Sequence, residues 1–220
     1  MSGAARVPEE LHPQLVAFDL DYTLWDLWID THVTGQAKHP LLPVLATLNR
    51  LLGPLKRNGK AINEVLDKYG ERISFYNDVP EILHGLSSRS LPVEGEAGGE
   101  TRRVTIAACS RTHAPDLAKQ CLRLLLVPPS ADGLSPEPKP AIEFFDELEI
   151  YPGSKIKHFK EIHKRTGIPF SQMLFFDDES RNAEVERLGV TFVHVPRGLT
   201  SQVFEQGLKE WRRRQNNELK

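Results

Sequence analysis

Short apolar runs, each closed by polar residues, recur along this chain. Residues 15–20 read LVAFDL: an unbroken apolar run that ends in Asp19, with Asp21 one residue beyond Leu20. A run of that length bounded by polar residues predicts a buried parallel strand. Two more runs share the form. Residues 103–109, with VTIAAC at their core, lead into Ser110-Arg111-Thr112, and MLFF at 173–176 leads into Asp177-Asp178-Glu179. Residues 190–195 predict a further strand, 144–150 one near the sheet edge, and 72–76 a short one. Helical signals lie between them. Asp78 before Pro80 predicts a helix running to about residue 87. Others are predicted over 115–126, after Glu179 to 188, and from about 201. The one beginning near Lys155 carries Ile156, Phe159, Ile162 and His163 on one side and closes at Gly167.

Strands alternating with helices argue a three-layer α/β fold of Rossmann-like form with a mainly parallel sheet. The organisation predicted is a loose lead-in over 1–13, one domain over 14–210 and a polar tail over 211–220 that frays. Three stretches read as insertions. Residues 35–70 have helical spacing at 41–55 and again at 61–69, stopped by Gly70. They follow the first strand, where an insertion can cover or shape a site. Residues 88–102 are rich in Ser, Gly and Glu and predict a flexible loop, and 127–143 are proline-rich and irregular.

Composition narrows the class. A net charge of -2 over 220 residues gives no footprint of a nucleic-acid binder. No stretch reaches the length of a membrane span, and the N-terminus lacks a signal-peptide pattern. The two cysteines, Cys109 and Cys121, make no disulfide framework. The expectation is a cytoplasmic or nuclear protein with reduced thiols. Oligomeric state is not readable.

The chemistry gathers at the strand ends, where open α/β sheets hold ligands. Asp19 and Asp21 end the first strand, Ser110 and Arg111 the second, and Asp177 and Asp178 the third. Lys155 opens a helix. Singly, each has a bland reading: a loop acid pair, a helix cap, a solvated lysine, an acidic helix start. Two acids at one strand end repel unless a divalent cation, a shared proton or an acid/base division of labour supports them. Together the residues meet the needs of phosphoryl transfer, which requires a nucleophile, a cation, hydrogen-bond donors and a proton for the leaving group.

The order DLDYTL, strand-Ser, Lys and FFDDE resembles the four motifs of the haloacid dehalogenase superfamily of phosphohydrolases. The stretches FDLDYTLW, CSRT, EIYPGSK, TGIPFSQM and LGVTF are similar to its magnesium-dependent phosphatase family, across about residues 14–210. The resemblance implies a compact core without a large separate cap, Mg²⁺ as cofactor, and hydrolysis of a phosphorylated small molecule or phosphoprotein, with phosphotyrosine and sugar phosphates of glycated amines as substrates. It implies Asp19 as nucleophile and metal ligand. Asp21 is the general acid and then base, with its carbonyl on the metal. Leu20, Ser110 and Arg111 bind phosphate, partly through N–H groups at a helix start. Lys155 neutralises charge and Asp177 completes the metal site. Asp178 acts through water or holds Lys155. The insertion 35–70 is the expected determinant of substrate choice.

Other features are weighed and set aside. Trp25 and Trp28 either stack on a substrate or pack the loop. His158 and His163 have the wrong spacing for two zinc ligands on one helix face. Cys109 lacks the arginine six residues on that a cysteine phosphatase needs, so a core thiol is the better reading. No GxxxxGK[ST] occurs. A phospho-accepting signalling module, or a weak binding protein with the same fold, is the alternative.

Overall fold

A computed structural model describes residues 11–33, 54–92 and 101–218. In chain order its strands and α-helices are β1 (Leu15–Phe18), β2 (Leu55–Arg57), β3 (Val65–Asp67), β4 (Arg72–Ile73), α1 (Val79–Ser88), β5 (Ser90–Pro92), β6 (Thr101–Arg103), β7 (Thr105–Ser110), α2 (Pro115–Leu124), β8 (Leu126–Val127), β9 (Lys139–Pro140), β10 (Glu147–Ile150), α3 (Lys155–Thr166), β11 (Met173–Asp177), β12 (Thr191–His194) and α4 (Ser201–Glu218). Five strands form the central sheet in the order β10-β7-β1-β11-β12, all parallel.

β1 lies at the middle of that sheet, with Leu15 in register with Thr105 on one side and Met173 on the other. A central parallel strand is covered on both faces, which is why its run is apolar without alternation. Val16 and Phe18 enter one core, and Leu15 and Ala17 the other. Beyond Phe18 the Asp19 N–H still donates to the Phe176 carbonyl (2.9 Å). The sheet therefore delivers the ends of β1, β7 and β11 side by side.

Several readings change. Residues 61–69 are not helical: Val65–Asp67 pairs with β2 and β4 in an antiparallel three-stranded sheet packed on α2. Asp67 explains the change. Its Oδ1 accepts the N–H groups of Tyr69 (2.7 Å) and Glu71 (2.9 Å), and Gly70 takes a left-handed φ of +88°, so the chain turns where a helix would continue. The other helical reading falls mostly on residues outside those described. The ends of the 88–102 loop zip into β5–β6, and the proline-rich stretch is pinned by β8–β9. Residues 180–188 wind as a 3₁₀ helix. In α3 the buried side chains are Lys155, His158, Phe159 and Ile162, while His163 is exposed. Gly167 closes α3 with φ +70°. Asp78 does not cap α1; it accepts the Ser201 N–H (2.7 Å) at the start of α4.

The predicted polar tail is the larger correction. α4 continues to Glu218 because Trp211 is fully buried in the core. Its Nε1–H donates to the Ser171 carbonyl (2.9 Å), which also accepts from Gln215 (2.9 Å).

Trp211→Ala should therefore cost about 3–5 kcal/mol of stability, the range for emptying a large aromatic site in a core. Urea unfolding checks it; a loss under 1 kcal/mol, as on a frayed surface tail, would show that Trp211 is not core.

Candidate active site

The turn after β1 sets the direction of both acids. Leu24 N–H donates to the Leu20 carbonyl (2.8 Å), and Tyr22 sits at φ +53°, a left-handed conformation that costs a non-glycine residue and recurs at functional sites. Trp25 folds back beneath the turn. It is fully buried, stacks on Phe75 at 6.0 Å, and donates its Nε1–H to Asp21 Oδ1 (2.7 Å). Trp25 thus packs the loop. Trp28 is different: it is 50% exposed, stacks on His32 and meets Tyr22 edge-on.

Lys155 opens α3 after the cap Ser154, whose side chain accepts the Lys157 N–H. Its side chain is fully buried, and Nζ lies 2.5 Å from Asp19 Oδ1 and 2.9 Å from Asp177 Oδ2. It also donates to the Cys109 carbonyl. The ammonium thus ties together the ends of β1, β7 and β11.

Asp177 is fully buried and its acceptor positions are filled. Oδ1 accepts from Glu179 N–H (2.8 Å) and Asn182 Nδ2 (2.9 Å), while Oδ2 accepts from Asn182 Nδ2 (2.9 Å) and Lys155. A carboxylate has about four lone-pair sites, and protein donors engage both oxygens of Asp177. Asp178 forms no hydrogen bond or ion pair with Lys155. Its N–H donates to Thr23 Oγ1 (3.1 Å) and its carbonyl meets His194 (2.7 Å). Asp178 is half-buried and borders the cavity, which Asp177 does not.

That cavity, about 470 Å³, is bordered by Asp19, Asp21, Ser110, Arg111, Asp178 and Asn182, with Trp28, Asp30, Thr31, His113 and Arg181 among the outer residues. None of 54–70 borders it; residues 35–53 lie outside those described. Ser110 Oγ accepts the Thr112 N–H (3.3 Å), leaving its hydroxyl proton for a ligand. Arg111 lies in the loop before α2, which starts only at Pro115, so its N–H is not in a first helical turn as expected. The same loop is tied across the cavity, His113 N–H donating to Asp30 (3.1 Å) and Arg111 Nη1 to Asn182 Oδ1 (3.0 Å). Asn182 and Thr23 were not legible from spacing; a polar residue five positions past an acid carries no motif by itself. A second groove, about 540 Å³ between α1 and α4, contains none of these acids.

Burial raises the carboxyl pKa values here. Asp19 lies well above the usual range through burial, opposed by Lys155. Asp21 is raised to about 7 by burial, opposed by the Trp25 hydrogen bond. Asp178 is raised to about 6 by burial and then by the charges of Asp177 and Glu179. Cavity acids held partly protonated mark a place where positive charge would be welcome. Among the described residues no three His, Cys, Asp or Glu side chains form a ready-made metal cluster. The remaining candidates are structural. Burial pushes the Cys109 thiol up, away from thiolate chemistry. His158 contacts the Tyr151 carbonyl (3.1 Å), and His163 the Ile168 carbonyl (2.7 Å).

A family model described as Acid Phosphatase matches residues 11–214. The chain is 46% identical over 181 residues to a HAD-like hydrolase superfamily protein of Schizosaccharomyces pombe, covering 82% of this chain and 84% of that one. It is 36% identical over 209 residues to magnesium-dependent phosphatase 1 of Homo sapiens, covering 94% and 92%. A crystal structure of a HAD-superfamily hydrolase from Ehrlichia chaffeensis superposes with TM-score 0.46 at 14% identity, covering 90% of this chain and 96% of that one. No described helix is long and apolar enough to cross a membrane.

Lys155→Met removes the charge that Asp19 and Asp177 share. It should destabilise the fold by about 3–5 kcal/mol at pH 8, as for a broken buried ion pair. Lys155 holds the Asp19 pKa down against burial, so removing it raises that pKa above its wild-type position. An acid whose folded pKa is raised takes up protons on folding, so stability is lost as pH rises through that pKa and regained as it falls. The penalty should shrink between pH 8 and pH 5 in urea titrations, and a penalty equal at both would contradict the assignment.

Proposed function

The chain belongs to the acid phosphatase family, and from that premise we propose that it is a Mg²⁺-dependent phosphomonoester hydrolase working through an aspartyl-phosphate on Asp19. The observation that carries the reading is the buried Lys155 ammonium, fixed on Asp19 Oδ1 at the floor of the cavity.

The lysine occupies Oδ1 and leaves Oδ2 of Asp19 to attack phosphorus in line. As that bond forms, the ester P–O bond breaks, and Asp21 gives its proton to the departing oxygen. A pKa raised to about 7 lets Asp21 hold that proton near neutral pH. The donor-only Trp25 indole engages its Oδ1. In the second half Asp21 takes a proton from water as the water attacks the aspartyl-phosphate, and the Asp19–phosphorus bond breaks to release phosphate. Ser110 and Arg111 hold the phosphoryl oxygens across the cavity. Mg²⁺, when bound, neutralises charge on those oxygens. Asp19, the Asp21 carbonyl and Asp178 would hold it. Asp178 takes the place expected of Asp177, whose lone pairs are already used. The substrates proposed are phosphotyrosine and sugar phosphates such as those of glycated amines. The half-exposed Trp28 ring beside the cavity supports a substrate with a flat face.

Phosphate release from a generic aryl ester should stop with EDTA and return with Mg²⁺. Asp19→Asn should form no hydroxylamine-sensitive phosphoenzyme; an adduct in that variant rules Asp19 out as nucleophile. Mg²⁺ should also raise the melting temperature more at pH 7.5 than at pH 5. Asp178 with a pKa of about 6 must shed its proton to bind a cation, so apparent affinity falls about tenfold per pH unit below that value. A shift independent of pH counts against Asp178 as ligand.

A further inference from the structure

We infer that Asn182 is a positioning residue for the reaction: its amide holds the Arg111 guanidinium at one end and the Asp177 carboxylate at the other, joining the arm that meets the phosphoryl group to the ion pair that meets the nucleophile. The inference rests on the phosphatase reading above.

The chemistry of the partners fixes the orientation of the amide. Nδ2 carries the protons and faces both Asp177 oxygens at 2.9 Å. Oδ1 has only lone pairs and accepts Arg111 Nη1 at 3.0 Å. Turning the amide over would set oxygen against carboxylate and NH₂ against guanidinium, losing every bond. Asn182 is 1% exposed yet borders the cavity. It stands on the 3₁₀ segment Ser180–Leu188, whereas Arg111 follows β7, 71 residues away in sequence.

The connection runs without a break. Arg111 binds Asn182, Asn182 binds Asp177, Asp177 binds Lys155 at 2.9 Å, and Lys155 binds Asp19 at 2.5 Å. A free arginine side chain samples many rotamers, and holding it before the substrate arrives removes that cost from the transition state. The opposite side of the Arg111 loop is held separately, by Asp30 on the His113 N–H (3.1 Å). Asp30 therefore fixes the loop backbone, while Asn182 fixes the charged tip.

The test is a double-mutant cycle with inorganic phosphate as a competitive inhibitor. Asn182→Ala should lower kcat/KM about 10- to 100-fold, the usual effect of losing a supporting partner, and raise the phosphate Ki about tenfold. With Arg111→Ala present, removing Asn182 should raise Ki no further. Ki is a property of the folded fraction, so lower stability alone does not move it. Asn182→Asp keeps the acceptor for Arg111 but loses the donor to Asp177. Its new carboxylate faces Asp177, so it should depress kcat more than it raises Ki; Asn182→Ser, with no added charge and the same expected rise in Ki as alanine, replaces the alanine variant if that does not fold. Multiplicative effects of the Arg111 and Asn182 substitutions on Ki, or an unchanged Ki in Asn182→Ala, overturn the inference and leave the phosphatase reading standing. A wild-type chain that releases no phosphate with Mg²⁺ overturns that reading, and the inference with it.

Discussion

The site depends on one ion triad: the Lys155 ammonium, removed from water and shared between Asp19 and Asp177. Burying a lysine is costly unless close opposite charge and hydrogen bonds replace its hydration. Here two carboxylates and the Cys109 carbonyl do so. Lys155 also stands in the first turn of α3, where the helix dipole is unfavourable to a cation. Its place is tolerable only because β1 and β11 end beside it, so the parallel pairing of those strands and the placement of the lysine depend on each other.

The triad also sorts the acids. Asp177 is saturated with donors and serves as the anchor. Asp19 gives one oxygen to Lys155 and keeps the other. Asp21 takes donors from the Trp25 indole and the Ile29 backbone. Asp178 borders open space, among negative neighbours. Four residues of one chemical type thereby acquire separate roles from their surroundings, which is how a fold assigns proton donors and acceptors without changing the side chain.

The sequence reveals the central sheet because a strand covered on both faces must be apolar throughout, and LVAF and MLFF satisfy that directly. It reveals the site's membership because strand ends converge in such sheets. It does not reveal which of Asp177 and Asp178 faces the cavity. The two letters are identical, and the difference lies in donors brought by Asn182 and by Lys155, which is distant in the chain. Residues 61–69 misled for a related reason: helical spacing of apolar residues was outweighed by one aspartate closing a turn with two backbone N–H groups. The charged surroundings of Trp211 hid a core residue, because this one large buried ring stands among polar residues in the last part of α4, beyond the core residues Phe204 and Leu208.

A last consequence concerns where recognition is built. The segment that ends β1 with Asp19 and Asp21 continues, within one short stretch, to Trp28, Asp30 and Thr31 on the cavity wall. Asp30 is hydrogen-bonded to Thr31 and to the His113 N–H, which locks that wall onto the loop carrying Ser110 and Arg111. Trp25 locks the other side of the same segment onto Phe75 beside the small antiparallel sheet. Asn63, in the described part of the insertion, accepts the Phe75 N–H (3.0 Å) and donates to the Phe75 carbonyl (3.3 Å), so that part acts from behind. It braces the turn that aims the acids, while Trp28, Asp30 and Thr31, close in sequence to Asp19, form part of the cavity wall.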